Sequence, residues 1–198
     1  MNTLSLLESV RVLPVVVIRR PEDTLPTLRA LEEGGIPAAE NTFRTPCAAE
    51  AIRTGVRELP QMHIGAGTVI NAAQAREALE AGAGFVVSPG LSAEVAGVCR
   101  EAGVPYLPGC ATPTEIMQAL ALGITTVKFF PANVYGGLEA IRALSAPFPQ
   151  VRFLPTGGVN EENLRDYLVC DSVAAVGGSF MMKGDIRANC RRIAELLK

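Results

Sequence analysis

"LPVVVIRRPED", residues 13–23, is a β-branched apolar run that passes into a charged turn and then into "TLPTLRALEE", residues 24–33, whose leucines recur at helical spacing. The first part has the composition of a strand and the second the period of a helix. A doubly wound nucleotide-binding sheet usually places a glycine-rich turn after its first strand, and residues 18–23, "IRRPED", contain no glycine. A closed barrel therefore fits this opening better than an open sheet.

The same unit recurs along the chain. "RVLPVVVI" is followed by "IPAAENTF", "MHIGAG", "GFVVSP", "VPYLPG", "TTVKFF", "VRFLPTGG" and "SVAAVGG", eight runs in all, with helical spacing between them. The runs begin roughly every two dozen residues, the size of a compact βα unit, and such alternation implies a parallel sheet. Eight units predict a (β/α)₈ TIM barrel in the α/β class, one compact domain over residues 1–198. Residues 1–10 are expected to form an extra helix ahead of the first strand, and residues 185–198 the closing helix. Thr112, Pro113 and Glu115 in "ATPTE" have the order of an N-cap, a first helical position and a capping-box partner. Gly34, Gly82, Gly103 and Gly123 are expected to close helices.

Composition narrows the function. The chain has 198 residues, 48% of them hydrophobic, a net charge of −2 and scattered basic residues, so it lacks the electrostatic footprint of a nucleic-acid binder. "LPVVVI" is too short to span a bilayer and follows no basic region, so neither a membrane span nor a signal peptide is expected, and the location read from this is cytoplasmic. Five cysteines with no C-x-x-C pair read as reduced, buried, small apolar groups. The single histidine, His63, reads as structural, and no metal site or cofactor is expected.

In "GITTVKFFPA", residues 123–132, Lys128 interrupts an apolar strand. A strand-end lysine can lay its stem on apolar surface and keep its ammonium in water. A buried lysine is rare, because desolvation disfavours the ammonium and leaves a nucleophilic amine. In "AAENTFRT" period-two alternation puts Glu40, Thr42 and Arg44 on one face, so carboxylate and guanidinium can share a barrel mouth; a surface ion pair is the plainer alternative. Barrels commonly hold phosphate in the loops after strands seven and eight. Those loops read "PTGGVN" and "VGGSF", where paired glycines let backbone N–H groups approach an anion and Ser179 adds a hydroxyl.

Taken together, "ENTFRT", "GAGTV", "SPG", "KFFPA", "PTGG" and "GGS" make the chain similar, over nearly its whole length, to the 2-keto-3-deoxy-6-phosphogluconate (KDPG) aldolases, which also cleave 4-hydroxy-2-oxoglutarate. The resemblance implies a metal-independent class I aldolase without an organic cofactor, usually a homotrimer, acting on a small phosphorylated keto acid. It assigns imine formation to Lys128, acid/base work to Glu40 and carboxylate binding to Arg44. Thr68 and Pro89 would line the pyruvate pocket with Phe130 beside it, and Thr156, Gly157, Gly158, Gly178 and Ser179 would bind the rest of the substrate, phosphate included. One residue departs from the family pattern: Asn41 stands where an aliphatic side chain is usual. A galactonate-series aldolase and a phosphate-binding barrel that has lost catalysis are the competing expectations.

Overall fold

The computed structural model describes residues 3–198; Met1 and Asn2, the start of the expected first helix, lie outside them. Helix α1 (Thr3–Val10) precedes β1 (Val12–Val16), and strands and helices then alternate through α2 (Thr24–Glu33), β2 (Ala38–Thr42), α3 (Ala48–Glu58), β3 (His63–Gly67) and α4 (Ala72–Glu80). The order continues with β4 (Val86–Val87), α5 (Ala93–Glu101), β5 (Tyr106–Leu107), α6 (Pro113–Ala121), β6 (Thr126–Phe129) and α7 (Gly137–Ser145). It closes with β7 (Arg152–Pro155), α8 (Leu164–Leu168), β8 (Val176–Gly178) and α9 (Ile186–Leu196).

Every strand pair is parallel. Six strands form one sheet in the order β5-β4-β3-β2-β1-β8, and β6 pairs with β7. Isolated bridges join the two groups at both ends, Gly109 with Lys128 on one side, and Phe153 with Val173 and Thr156 with Gly177 on the other. The result is an α/β fold whose parallel sheet curls like a TIM barrel. Alternation along the strands sorts the core into two layers. Leu13, Ala38, Phe85, Val87, Leu107 and Leu154 gather on the inner face, where Leu6 and Leu7 of α1 join them. Val12, Val16, Ala39, Ile64, Val127 and Phe153 face outward into the helices. Leucine side chains from α1 thus pack with the lower interior, and the polar residues Glu40 and Lys128 lie one pleat nearer the strands' carboxyl ends.

Helix ends follow local chemistry. Thr112 accepts from the backbone N–H of Glu115, whose side chain returns the bond to the Thr112 backbone, completing the capping box that the sequence predicts. Gly82, Gly103 and Gly123 take left-handed conformations after their helices. Gly34 does not: it stays right-handed at φ −79°, and the reversal falls on Gly35 at φ 88°. Gly34 serves packing instead, since a Cβ there would collide with Cys190 of α9.

Two buried features carry testable consequences. Asn41 is 1% exposed, and neither atom of its carboxamide has a hydrogen-bond partner. It follows Glu40 on the strand and so faces the helix layer, where an unsatisfied amide costs roughly 1–3 kcal/mol. Asn41→Val should therefore raise the thermal midpoint, each kcal/mol being worth about 2–4 °C in a chain of this size, with unchanged steady-state kinetics. A lower midpoint would mean that the amide is satisfied in solution; lost turnover without unfolding would mean that it positions Glu40.

The cysteines are all free, with Cys47, Cys99, Cys110 and Cys190 buried. Burial pushes the thiols of Cys99 and Cys190 up to about 11 and that of Cys110 up to about 12, the last helped by nearby Glu115. These thiols ionise in the unfolded chain near 9 but stay neutral when folded, so the unfolded state loses protons first and stability falls as pH rises from 9 toward 11–12. A thermal midpoint that declines over this window, less steeply in Cys110→Ala, is the expected result. A flat profile would contradict it.

Candidate active site

Lys128 sits in β6, where β-branched and aromatic neighbours favour an extended chain, and it is 4% exposed. Its Nζ donates to Glu40 Oε1 at 3.1 Å and lies 3.4 Å from Oε2. Glu40, on β2, is 0% exposed and reaches this position because Gly67 on the next strand has no side chain: a Cβ there would overlap the Glu40 carboxylate. The Phe130 ring lies 5.5 Å from the amine, within cation–π range. A buried amine and a buried carboxylate thus meet from strands that are 88 residues apart in sequence.

Lys128 opens onto a cavity of about 400 Å³. Of the residues expected at the site, Arg44, Phe130, Thr156, Gly157, Gly158, Gly178 and Ser179 line it with Lys128. Glu40 stands behind the amine. Arg44 departs from its expected place, because β2 ends at Thr42 and the chain turns at Phe43 and Arg44; the guanidinium reaches the site from the turn. Its Nε donates to Thr68 Oγ1 at 3.0 Å. Thr68 itself lies at φ 57°, a strained backbone for a β-branched residue and of a kind that clusters at functional sites. Pro89 is exposed and does not line the cavity; its carbonyl packs against Gly109, the bridge partner of Lys128.

The far end of the cavity is built from the two glycine loops. Gly157 and Gly158 adopt φ of 95° and 79°, which only glycine holds without strain, and a Cβ on Gly158 would also strike Asn133. The N–H groups of Gly158 and Val159 have no acceptor among the described residues. Val15, Val159, Asn160, Phe180 and Lys183 line the cavity as well; Val159, Asn160 and Phe180 lie within the two expected loops but were given no role of their own, and Val15 and Lys183 had no signal to mark them. Lys183 has no ion-pair partner among the described residues and adds a cation to the lining. His63 begins β3, at the amino end of its strand and away from this cavity. Among the described residues, no three His, Cys, Asp or Glu side chains come together as a metal-ligand set, and no helix is long and apolar enough to cross a membrane.

The arrangement offers a nucleophilic amine with a proton acceptor in contact, a guanidinium at one rim and unpaired backbone amides at the other end. Comparison with known proteins points the same way. The model of the family described as "KDPG and KHG aldolase" matches residues 4–196. A 2-dehydro-3-deoxy-phosphogluconate aldolase of Treponema pallidum (strain Nichols) is 50% identical over 89% of this chain and 84% of its own. The KHG/KDPG aldolase of Escherichia coli (strain K12) is 43% identical over 91% of this chain and 85% of its own. Among solved structures, the KDPG aldolase of Legionella pneumophila, with pyruvate captured as a covalent carbinolamine, superposes with a TM-score of 0.92 at 38% identity, over 96% of this chain and 97% of its own.

Proposed function

The chain belongs to the KDPG and KHG aldolase family, and on that footing we propose that it cleaves 2-dehydro-3-deoxy-6-phosphogluconate to pyruvate and glyceraldehyde 3-phosphate, and 4-hydroxy-2-oxoglutarate to pyruvate and glyoxylate, by class I chemistry. The observation that carries this reading is the buried contact of Lys128 Nζ with Glu40 Oε1 at 3.1 Å, at the wall of the cavity.

An amine must lose its proton to attack a ketone, and the Glu40 carboxylate is already in hydrogen-bond contact to take it. Lys128 Nζ adds to C2 of the keto acid, giving a carbinolamine whose hydroxyl leaves as water once protonated. The protonated imine that remains is the electron sink. Glu40 removes the C4 hydroxyl proton, the C3–C4 bond breaks, and its electron pair moves through C3 and C2 to the imine nitrogen. The aldehyde departs, Glu40 returns a proton to C3 of the enamine, and water releases pyruvate. Arg44 would hold the substrate carboxylate, braced by Thr68, and Phe130 would cover the apolar side of the pyruvate unit. The loops carrying Gly157, Gly158, Gly178 and Ser179 would receive phosphate through backbone N–H groups and a hydroxyl.

The finer architectural reading is a closed (β/α)₈ barrel forming one domain over residues 1–198, supported by the bridges at both junctions of the two strand groups. Assembly as a homotrimer belongs to the same reading. Exposed Ile70, Met117, Val134 and Tyr135 supply apolar surface of the kind that a subunit contact covers. The phosphorylated substrate and the absence of a membrane-crossing helix among the described residues fit a cytoplasmic enzyme.

The test is direct. Purified protein given the gluconate-series substrate and its C4 epimer should release pyruvate from the former at the higher kcat/KM, and EDTA should leave the rate unchanged. A preference for the epimer would move the assignment to the galactonate series. No turnover of either would favour a binding barrel, and loss of activity on chelation, restored by a divalent metal, would point to Lewis-acid stabilisation of an enolate.

A further inference from the structure

The loop after β7 is tied back carbonyl by carbonyl. Thr156 O accepts from Ala132 N at 2.9 Å and Gly157 O from Asn133 N at 3.1 Å, both donors belonging to the neighbouring segment after β6. Gly158 O has no such strand-side partner. It accepts instead from Asn163 Nδ2 at 2.9 Å, while the Oδ1 of the same side chain accepts from Asn160 N at 2.9 Å. One carboxamide therefore spans residues 158 to 160 and grips the turn on both sides of Val159. Asn160 returns the tie, its Oδ1 accepting from Glu162 N at 2.9 Å and from Asn163 N at 3.1 Å. Asn163 is half-buried, sits immediately before α8 and does not line the cavity.

The N–H groups of Gly158 and Val159 are among those of this loop that have no acceptor among the described residues. A peptide plane turns as a unit, so a carbonyl held outward keeps the N–H of the next residue directed the other way. Fixing Gly158 O thus fixes the N–H of Val159. Glycines at φ of 95° and 79° are also the residues freest to rotate away from this arrangement. A loop that must offer two aligned donors to an anion gains affinity from being held in place before the ligand arrives.

We propose that Asn163 is a positioning residue for the phosphate group of the substrate: its carboxamide holds the Gly157–Gly158 turn so that the amides of Gly158 and Val159 converge on the anion. The proposal rests on the aldolase reading above and deepens it, since it makes binding of the phosphorylated substrate depend on a residue that does not line the cavity.

The experiment compares wild type, Asn163→Ala and Asn163→Asp on KDPG and on 4-hydroxy-2-oxoglutarate, with inorganic phosphate as a competitive inhibitor. Asn163→Ala removes both ties and should raise KM for KDPG and Ki for phosphate about five- to tenfold, the scale of one or two hydrogen bonds. KM for 4-hydroxy-2-oxoglutarate should stay within about twofold, on the same hydrogen-bond scale, and borohydride trapping of pyruvate should not change. Asn163→Asp keeps the acceptor for Asn160 N, loses the donor to Gly158 O and adds a negative charge. Assayed at two ionic strengths, since salt screens repulsion of the phosphate and leaves the effect of the lost tie, it decides the question if the alanine variant does not fold. It too should raise the KDPG KM relative to that of 4-hydroxy-2-oxoglutarate. A folded variant whose two KM values keep the wild-type ratio, or rise together, overturns the proposal while leaving the aldolase reading intact. Wild-type protein that turns over neither substrate overturns the reading itself.

Discussion

Borohydride reduction in the presence of pyruvate is expected to leave a single pyruvyl adduct on Lys128, with Lys183 and Lys198, the other two lysines of the chain, unlabelled. Accessibility alone would favour the opposite outcome, because Lys183 and Lys198 are exposed and Lys128 is 4% exposed. Labelling of Lys128 would therefore report chemistry rather than access: a ketone drawn into the cavity meets an amine with a base in contact. Lys128→Met should abolish trapping and lower turnover by roughly 10⁴-fold or more, the scale seen when a covalent nucleophile is removed. That substitution also strands Glu40, and breaking a buried ion pair costs about 3–5 kcal/mol. The double variant Lys128→Met/Glu40→Gln removes both charges and should recover much of the lost thermal stability without recovering activity. An adduct on Lys183, or turnover surviving in folded Lys128→Met, would end the mechanism proposed here.

What could be read from sequence and what could not divide along a physical line. Periodicity and turn chemistry are local, so the eight strands and the capping box at Thr112 were visible in residues that touch one another along the chain. Glu40 and Lys128 were visible for a related reason: a charged residue in an apolar strand is conspicuous wherever the strand ends up. Arg44 lines the cavity, though not by the route that alternation suggested. Alternation was extended two residues beyond Thr42, where β2 has already ended, and only the turn explains how its guanidinium meets Thr68. The reversal after α2 was assigned to Gly34 because a glycine pair offers no local distinction; it falls on Gly35, and what requires glycine at position 34 is the close approach of Cys190, more than 150 residues away.

The residues missed altogether belong to loop convergence. Val15 is an ordinary inward strand residue, Phe180 closes the quoted loop "VGGSF" without being assigned a part in it, and Lys183 follows with no pattern to mark it, yet the curl of the sheet brings all three to one cavity. Asn163 is a further step removed, since its importance depends on which carbonyl lacks a strand partner. Asn41 is the opposite case. Its departure from the aliphatic side chain usual at that position was legible at once, and the structure leaves that carboxamide unpartnered.

Glu40→Gln is the substitution that separates imine formation from carbon–carbon cleavage. Glutamine has nearly the same shape, so it fits the space left by Gly67, and its carbonyl can still accept from Lys128 Nζ. It cannot take a proton. Two steps in the proposed sequence need a base or acid at this position after the imine exists: loss of the C4 hydroxyl proton and return of a proton to C3. Turnover of KDPG should accordingly fall by roughly 10²–10⁴, the range for removal of a general acid/base. Imine formation also needs the amine to shed a proton, but water entering from the cavity can serve there more slowly, so trapping with pyruvate and borohydride should survive in part. Exchange of the pyruvate methyl protons with deuterated solvent, followed by NMR, reads the C3 step alone and should slow in parallel with turnover. If exchange and turnover both stay within tenfold of wild type, another group moves the protons and Glu40 serves only as the counter-charge to Lys128. If exchange slows while cleavage does not, the two proton transfers belong to different residues.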